Sequence, residues 1–262
     1  PPYEAPPALE AQWKARELEL PPNFAAETQE QREAWILQRK IYYAMVENLD
    51  TNVGRMRAVL EELGLAQDTV VVFLADHGEN LGAHGVVSKQ RPWEESVGVP
   101  LIVYDPRQPE RAGTVLQEPT CTEDLFPTFL GLAGRTPRDE LPGTDLSHLI
   151  RGQAEGLDRE GVLLEFVAEL RPGLPFHDEV WRGFRSQRYK YTVQGDKETG
   201  AKPWQLFDLQ DDPWEMTNLV DDEPSRAILE QHHKLLRHRM EETLDPLPLA
   251  PAFGVSGWNQ WQ

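Results

Sequence analysis

Thr69-Val70-Val71-Val72-Phe73-Leu74-Ala75 runs without a break into Asp76-His77-Gly78, and the reading of this stretch decides the fold. A run of seven apolar or β-branched residues makes one buried strand and is too short for a typical helix. Such strands belong to parallel sheets covered on both faces, and ligand groups gather just beyond their carboxyl ends. The chain continues as Glu79-Asn-Leu-Gly-Ala-His84-Gly85, then Lys89, then Trp93-Glu-Glu-Ser-Val-Gly-Val-Pro-Leu-Ile-Val103. A carboxylate, two imidazoles and an ammonium therefore fall within 14 residues of the strand end. Glycines 78, 82 and 85 let the backbone turn tightly among them. The combination reads as the edge of an active site.

Working outward, a helical pattern precedes the strand from about Thr28 to Leu63. Its apolar stripe is Val46, Leu49, Val53, Met56, Leu60 and Leu63, and Gly64 is a natural stop. The first 26 residues are proline-rich and irregular, with a short polar helix around Leu9–Leu18. Downstream, Val99–Tyr104 reads as a second buried strand with Pro100 at its entrance. Asp124–Ala133 reads as a helix that Gly134 ends. Beyond about residue 155 four β-rich runs follow, Gly161–Val167, Trp181–Ser186, Arg188–Val193 and Trp204–Leu209, which read as an antiparallel sheet. An amphipathic helix over Pro224–Thr243 comes next, with Ile228, Leu229, Leu235, Leu236 and Met240 apolar, and the tail from Asp245 lies over the surface. The predicted architecture is α/β: residues 1–155 form part of a sheet with flanking helices. Residues 156–262 form a smaller subdomain, a four-stranded antiparallel sheet packed with the terminal helix.

At 262 residues the chain is large enough for one sizeable core, or for a large domain and a small one. Acids outnumber Lys and Arg by 44 to 26, a net charge of −18, which argues against nucleic acid or an anionic membrane as partner. No apolar stretch reaches the length of a membrane span. The single Cys121 excludes an intramolecular disulfide and leaves the compartment open. Pro1-Pro-Tyr-Glu lacks an initiator Met and any signal pattern, so the chain reads as the middle of a longer protein whose targeting region is not visible.

Asp76 and His77 offer a hard oxygen and an imidazole nitrogen, a workable pair for a divalent cation. The competing reading is an Asp that caps the following turn and a His hydrogen-bonded in the core. His84 is open to three roles: proton donor, substrate contact, or staple of its glycine loop. Lys89 suits a tetrahedral oxyanion, although most lysines are solvated surface groups. Cys121 sits beside Glu123 and Asp124, which would raise its pKa, so it reads as a packing residue rather than a nucleophile. Arg182, Arg185, Arg188 and Lys190 form a basic cluster that offsets nearby acids, with substrate binding the weaker reading. Trp204, Trp214 and Trp258 read as packing residues.

The stretch Val72–Gly85, followed by Lys89 and Trp93–Val103, resembles the second half of the sulfatase family, within the alkaline phosphatase superfamily. The likeness extends to Tyr43–Gly54, Asp124–Leu130, Gly143–Leu146, Arg188–Tyr191, Leu206–Pro213 and Glu215–Leu219, and so covers almost the whole chain. The resemblance implies a sulfatase-like, alkaline-phosphatase-like sheet and a sulfuric ester hydrolase. It implies Asp76 and His77 as metal ligands, for calcium first, with manganese or magnesium as alternatives. Lys89 would contact the sulfate, and His84 is a motif histidine assigned to catalysis or substrate binding. The family's nucleophile is a formylglycine made from a Cys/Ser-x-Pro/Ala-x-Arg motif, which this sequence lacks. The implied chemistry is attack of the aldehyde hydrate on sulfur, metal neutralisation of the sulfuryl oxygens and acid-assisted departure of the alcohol. The expected partners are a small-molecule or carbohydrate sulfate ester and the missing N-terminal half, and this chain alone is expected to be inactive. Two alternatives accompany the reading: a phosphodiesterase or phosphonate monoester hydrolase of the same superfamily, and a non-catalytic binding module.

Overall fold

The computed structural model describes residues 2–138, 140–166, 180–196, 200–247 and 249. The chain divides into two compact units, residues 1–89 with 93–112, and residues 90–92 with 113–262.

The first unit contains α1 (Pro7–Lys14), α2 (Gln29–Glu62), β1 (Val71–Leu74), α3 (Glu94–Val97) and β2 (Leu101–Tyr104). The long helix α2 starts where the Thr28 hydroxyl accepts the Gln31 N–H at 3.1 Å, satisfying one of the free donors of the first turn. It stops at Gly64, whose φ of 68° turns the chain back so that the N–H of Leu65 reaches the carbonyl of Leu60 at 2.8 Å. Helix α1 packs on α2 through Trp13, whose indole N–H donates to Glu47 at 2.7 Å while its ring meets Tyr43 edge-on at 5.3 Å. The predicted stripe is helical, and Val46, Leu49, Met56 and Leu63 of that stripe are exposed. No helix among the described residues is long and apolar enough to cross a membrane.

Strands β1 and β2 pair antiparallel, with Val71 opposite Tyr104 and Leu74 opposite Leu101. This corrects the expectation of parallel strands covered on both faces. A parallel pair needs a crossover, usually a helix. Here the connecting segment folds into a loop and the single turn of α3, and returns to the edge it left. Leu74, Leu101, Ile102 and Tyr104 are exposed, so an apolar run alone does not establish two-sided burial.

The second unit contains α4 (Leu125–Leu132), α5 (Ser147–Ile150), β3 (Gly161–Phe166), β4 (Trp181–Ser186), β5 (Tyr189–Asp196), β6 (Gly200–Asp208) and α6 (Arg226–Glu242). The four strands form one antiparallel sheet in chain order, matching the four runs read from sequence. Val167, at the end of the first run, and the tail beyond 249 with Trp258 lie outside the described residues. Helix α6 buries Leu229, His232, His233, Leu236 and Met240, spaced three and four apart, against Phe184, Tyr191, Val193 and Leu206 of the sheet.

Of the basic cluster, Arg182, Arg188 and Lys190 pair with acids. Arg182 pairs with Asp245, and Arg188 with Asp208 at 2.5 Å and Asp211 at 3.0 Å. Lys190 pairs with Glu215 at 2.6 Å, the two side chains being 0 % and 1 % exposed. A pair this deep is structural, because removing either partner would leave a buried charge uncompensated. Cys121 caps the turn leading into α4, where its N–H donates to Asp124 at 3.0 Å. Burial, with Asp124 and Glu123 adding to it, pushes the Cys121 thiol up to about 11.

Candidate functional site

Beyond Leu74 the ladder ends, and the alternation that would send adjacent side chains to opposite faces ends with it. Asp76 Oδ2 therefore comes within 3.4 Å of His77 Nε2. The ring of His77 is set by its neighbour: Nδ1 lies 2.8 Å from the carbonyl of Gly78, which only accepts, so Nδ1 carries the proton. Nε2 is left with its lone pair, and the Lys89 ammonium donates to it at 2.7 Å. Asp76 also accepts the His77 N–H through Oδ1 at 3.0 Å, so the turn-capping role and the shared position with His77 coexist.

This donor set fits a divalent cation. An imidazole nitrogen in a fixed tautomer and a carboxylate oxygen converge, and a cation on the Nε2 lone pair would take the place that the Lys89 ammonium holds. Asp76 is 87 % exposed on its side chain, which leaves its oxygens accessible to further ligands.

The loop from Gly78 to Lys89 is tightly held. The N–H groups of Gly78 and Glu79 donate to the carbonyls of Ser96 and Glu95, both at 2.8 Å, tying the loop to α3. The buried Asn80 donates its side-chain amide to the Ser88 carbonyl at 2.6 Å, and Arg39 of α2 reaches the carbonyl of Leu81 at 3.0 Å. Leu81, His84 and Ser88 adopt φ of 46°, 52° and 68°, a region costly for residues with a Cβ and commoner near functional sites. From the proline-rich segment, Ala25 N–H donates to Gly82 at 3.0 Å, and Phe24 bridges to Ala83. Burial, and then a hydrogen bond to Glu79, hold the Tyr3 phenol well above its usual range.

His84 does not join Asp76 and His77 in direct contact among the interactions described. Its backbone N–H donates to Asn23 at 2.8 Å, its Nε2 accepts from the Asn23 amide at 3.0 Å, and its ring stacks on Trp93 at 4.6 Å. Of its three possible roles, the staple is the one this geometry displays. The sequence reading missed Asn23 and left Glu95 unassigned. Asn23 lies in a stretch that looked irregular, whereas Glu95 stands inside the quoted Trp93–Val103 motif.

Comparison with known proteins identifies the family. The Sulfatase family profile matches residues 15–135, and the profile "N-sulphoglucosamine sulphohydrolase, C-terminal" matches residues 82–242. An ulvan-active sulfatase of Formosa agariphila is 32 % identical over 201 residues, covering 76 % of this chain and 36 % of the relative. An arylsulfatase of Clostridium perfringens is 30 % identical over 207 residues, covering 76 % of this chain and 39 % of the relative. The chain thus spans well under half the length of these curated relatives. Among solved structures, the phosphonate monoester hydrolase of Agrobacterium radiobacter superposes with a TM-score of 0.69 at 29 % identity, over 80 % of this chain and 42 % of that one. With two family profiles that together run from residue 15 to residue 242, and with a fold shared with these hydrolases, the chain belongs to the sulfatase family of the alkaline phosphatase superfamily.

Proposed function

We propose that the complete protein is a metal-dependent sulfuric ester hydrolase, to which this chain contributes two metal ligands and a substrate-facing cation. The observation that carries the reading is the convergence of Asp76 Oδ2, His77 Nε2 and Lys89 Nζ just past the end of β1, in a chain of this family. Asp76 and His77 would hold a divalent ion, calcium in the first instance. When bound, such an ion neutralises charge on the oxygens of a sulfuryl group. Gly78 keeps His77 in the tautomer that presents Nε2. Lys89, a compact cation on a flexible stem, would move from Nε2 to a sulfate oxygen and stabilise charge developing there. A formylglycine nucleophile, the family's usual one, would come from sequence outside this chain. The relatives act, by their names, on ulvan and on aryl sulfates, so the ester could be a carbohydrate or a small molecule.

A second reading rests on the likeness to the phosphonate monoester hydrolase: the same scaffold acting on phosphoryl esters. Sulfate and phosphate esters differ more in charge than in shape. Assay of the complete protein on 4-nitrophenyl sulfate and on bis(4-nitrophenyl) phosphate separates the two. Faster turnover of the sulfate is expected, and preference for the phosphate diester would transfer the conclusion to the second reading. Asp76→Ala is expected to lose bound metal by elemental analysis together with activity. Full metal content in that variant would overturn the ligand assignment.

A further inference from the structure

We infer that Asn23, acting through Glu95, is a positioning residue for His77. The inference rests on the reading of His77 as a metal ligand.

The path is short and made of named bonds. The carbonyl of Gly78 and the N–H of Glu79 are the two ends of one planar peptide group. At one end, the His77 ring donates Nδ1–H to the Gly78 carbonyl at 2.8 Å. At the other end, the Glu79 N–H donates to the Glu95 carbonyl at 2.8 Å. Because the group is planar, holding the N–H end sets the direction of the carbonyl, and with it the side of the ring that Nε2 presents. Whatever steadies the main chain at Glu95, its side-chain anchor included, therefore steadies His77.

Glu95 is fixed by Asn23. The Asn23 amide donates to Glu95 Oε1 at 2.6 Å. A carboxylate only accepts, so this contact identifies the NH2 side of the amide without ambiguity. The second N–H of the same group faces His84 Nε2 at 3.0 Å, which makes Nε2 the acceptor and places the His84 proton on Nδ1. The backbone carbonyl of Asn23 takes the His84 N–H at 2.8 Å, a bond that does not depend on the side chain. Asn23 is buried, so these bonds are not shared with solvent. His84 is in turn held flat against Trp93, one residue before α3 begins. One asparagine thus binds both the glycine loop and the helix that carries Glu95, and the peptide oriented by that helix aims His77.

The test is Mn2+ affinity of the complete protein, by electron paramagnetic resonance titration, beside kcat and KM at saturating metal. Asn23→Leu keeps the size and removes the amide. It is expected to weaken Mn2+ binding about tenfold, as loss of an outer-shell partner does, with activity recovering when metal is added in excess. Glu95→Ala is expected to match that loss, and Glu95→Gln, which still accepts from Asn23, to restore the affinity. Unchanged Mn2+ affinity in folded Asn23→Leu overturns the inference, including the case in which activity falls while affinity holds. If Asn23→Leu does not fold by circular dichroism, Asn23→Ser decides by the same titration. Asp76→Ala is run alongside. If it binds Mn2+ as the wild type does, the ligand reading fails. If it loses Mn2+ while the Asn23 and Glu95 variants keep it, the positioning role alone fails.

Discussion

Gly78 shows at the scale of one residue why this site tolerates so little. A methyl group there would lie 1.9 Å from the Glu95 carbonyl oxygen, and that atom is backbone, which cannot swing aside. Gly78→Ala is therefore expected to cost about 1–3 kcal/mol of stability in urea unfolding. The sequence reading gave Gly78 a turning role, yet its backbone is not in the left-handed region; space is what demands glycine. The difference is physical. A turn is a local property that residue type reports, whereas the approach of α3 depends on a segment some twenty residues away. Asp76, His77 and Lys89 were legible because their chemistry is in their side chains. Asn23 was not, because an asparagine's meaning lies in the partners it meets.

At the scale of elements, helix ends follow local rules. Helices α2, α4 and α5 each close with a glycine of positive φ, at Gly64, Gly134 and Gly152. Helix α6 makes the same closing bonds, Asp245 N–H to Met240 at 2.8 Å and Leu244 N–H to Glu241 at 3.2 Å, but around a leucine with φ of 55°. Leu244 is 86 % exposed and loses little packing on removal, so Leu244→Gly is expected to stabilise the chain by about 1 kcal/mol in chemical denaturation. The ends of α2 and α4 could be read in advance at Gly64 and Gly134 for this reason, while the direction of β2 against β1 could not, being set by the path of the loop between them.

Helix α6 also carries a pH signature. Burial pushes His233 down to about 3 and lowers His232 as well. An unfolded histidine titrates near 6.5, so below that pH the unfolded chain binds protons that the folded one refuses. The contribution is complete above about pH 6.5 and is lost progressively as pH falls from there toward 3. The unfolding free energy from urea titration is expected to fall between pH 7.5 and pH 5.5, by up to about 1.4 kcal/mol per pH unit below 6.5 for each buried imidazole. His233→Gln is expected to flatten the drop. The apolar residues read from the sequence for this helix did not include these two. Their burial follows from the Tyr191 hydroxyl and Ser186 hydroxyl that meet them, each at 3.0 Å.

For the molecule as a whole, the family was legible in one stretch of sequence, because strand, loop and helix there each keep a recognisable residue pattern. Which faces the chain covers was less legible: the stripe on α2 is apolar, yet Val46, Leu49, Met56 and Leu63 of it are exposed. Electrostatic character was plain from composition, and the structure adds that Arg182, Arg188 and Lys190 of the hairpin are spent on neighbouring acids. The sequence holds one cysteine, and its thiol lies in the capping turn before α4 with a pKa of about 11. At pH 7 the reactive thiolate is then on the order of one part in ten thousand. Maleimide reagents are expected to modify a cysteine introduced at exposed Met56 well before Cys121, which mass spectrometry along a time course checks. Short labelling times thus place a fluorophore or spin label at a chosen position well ahead of the chain's own sulfur.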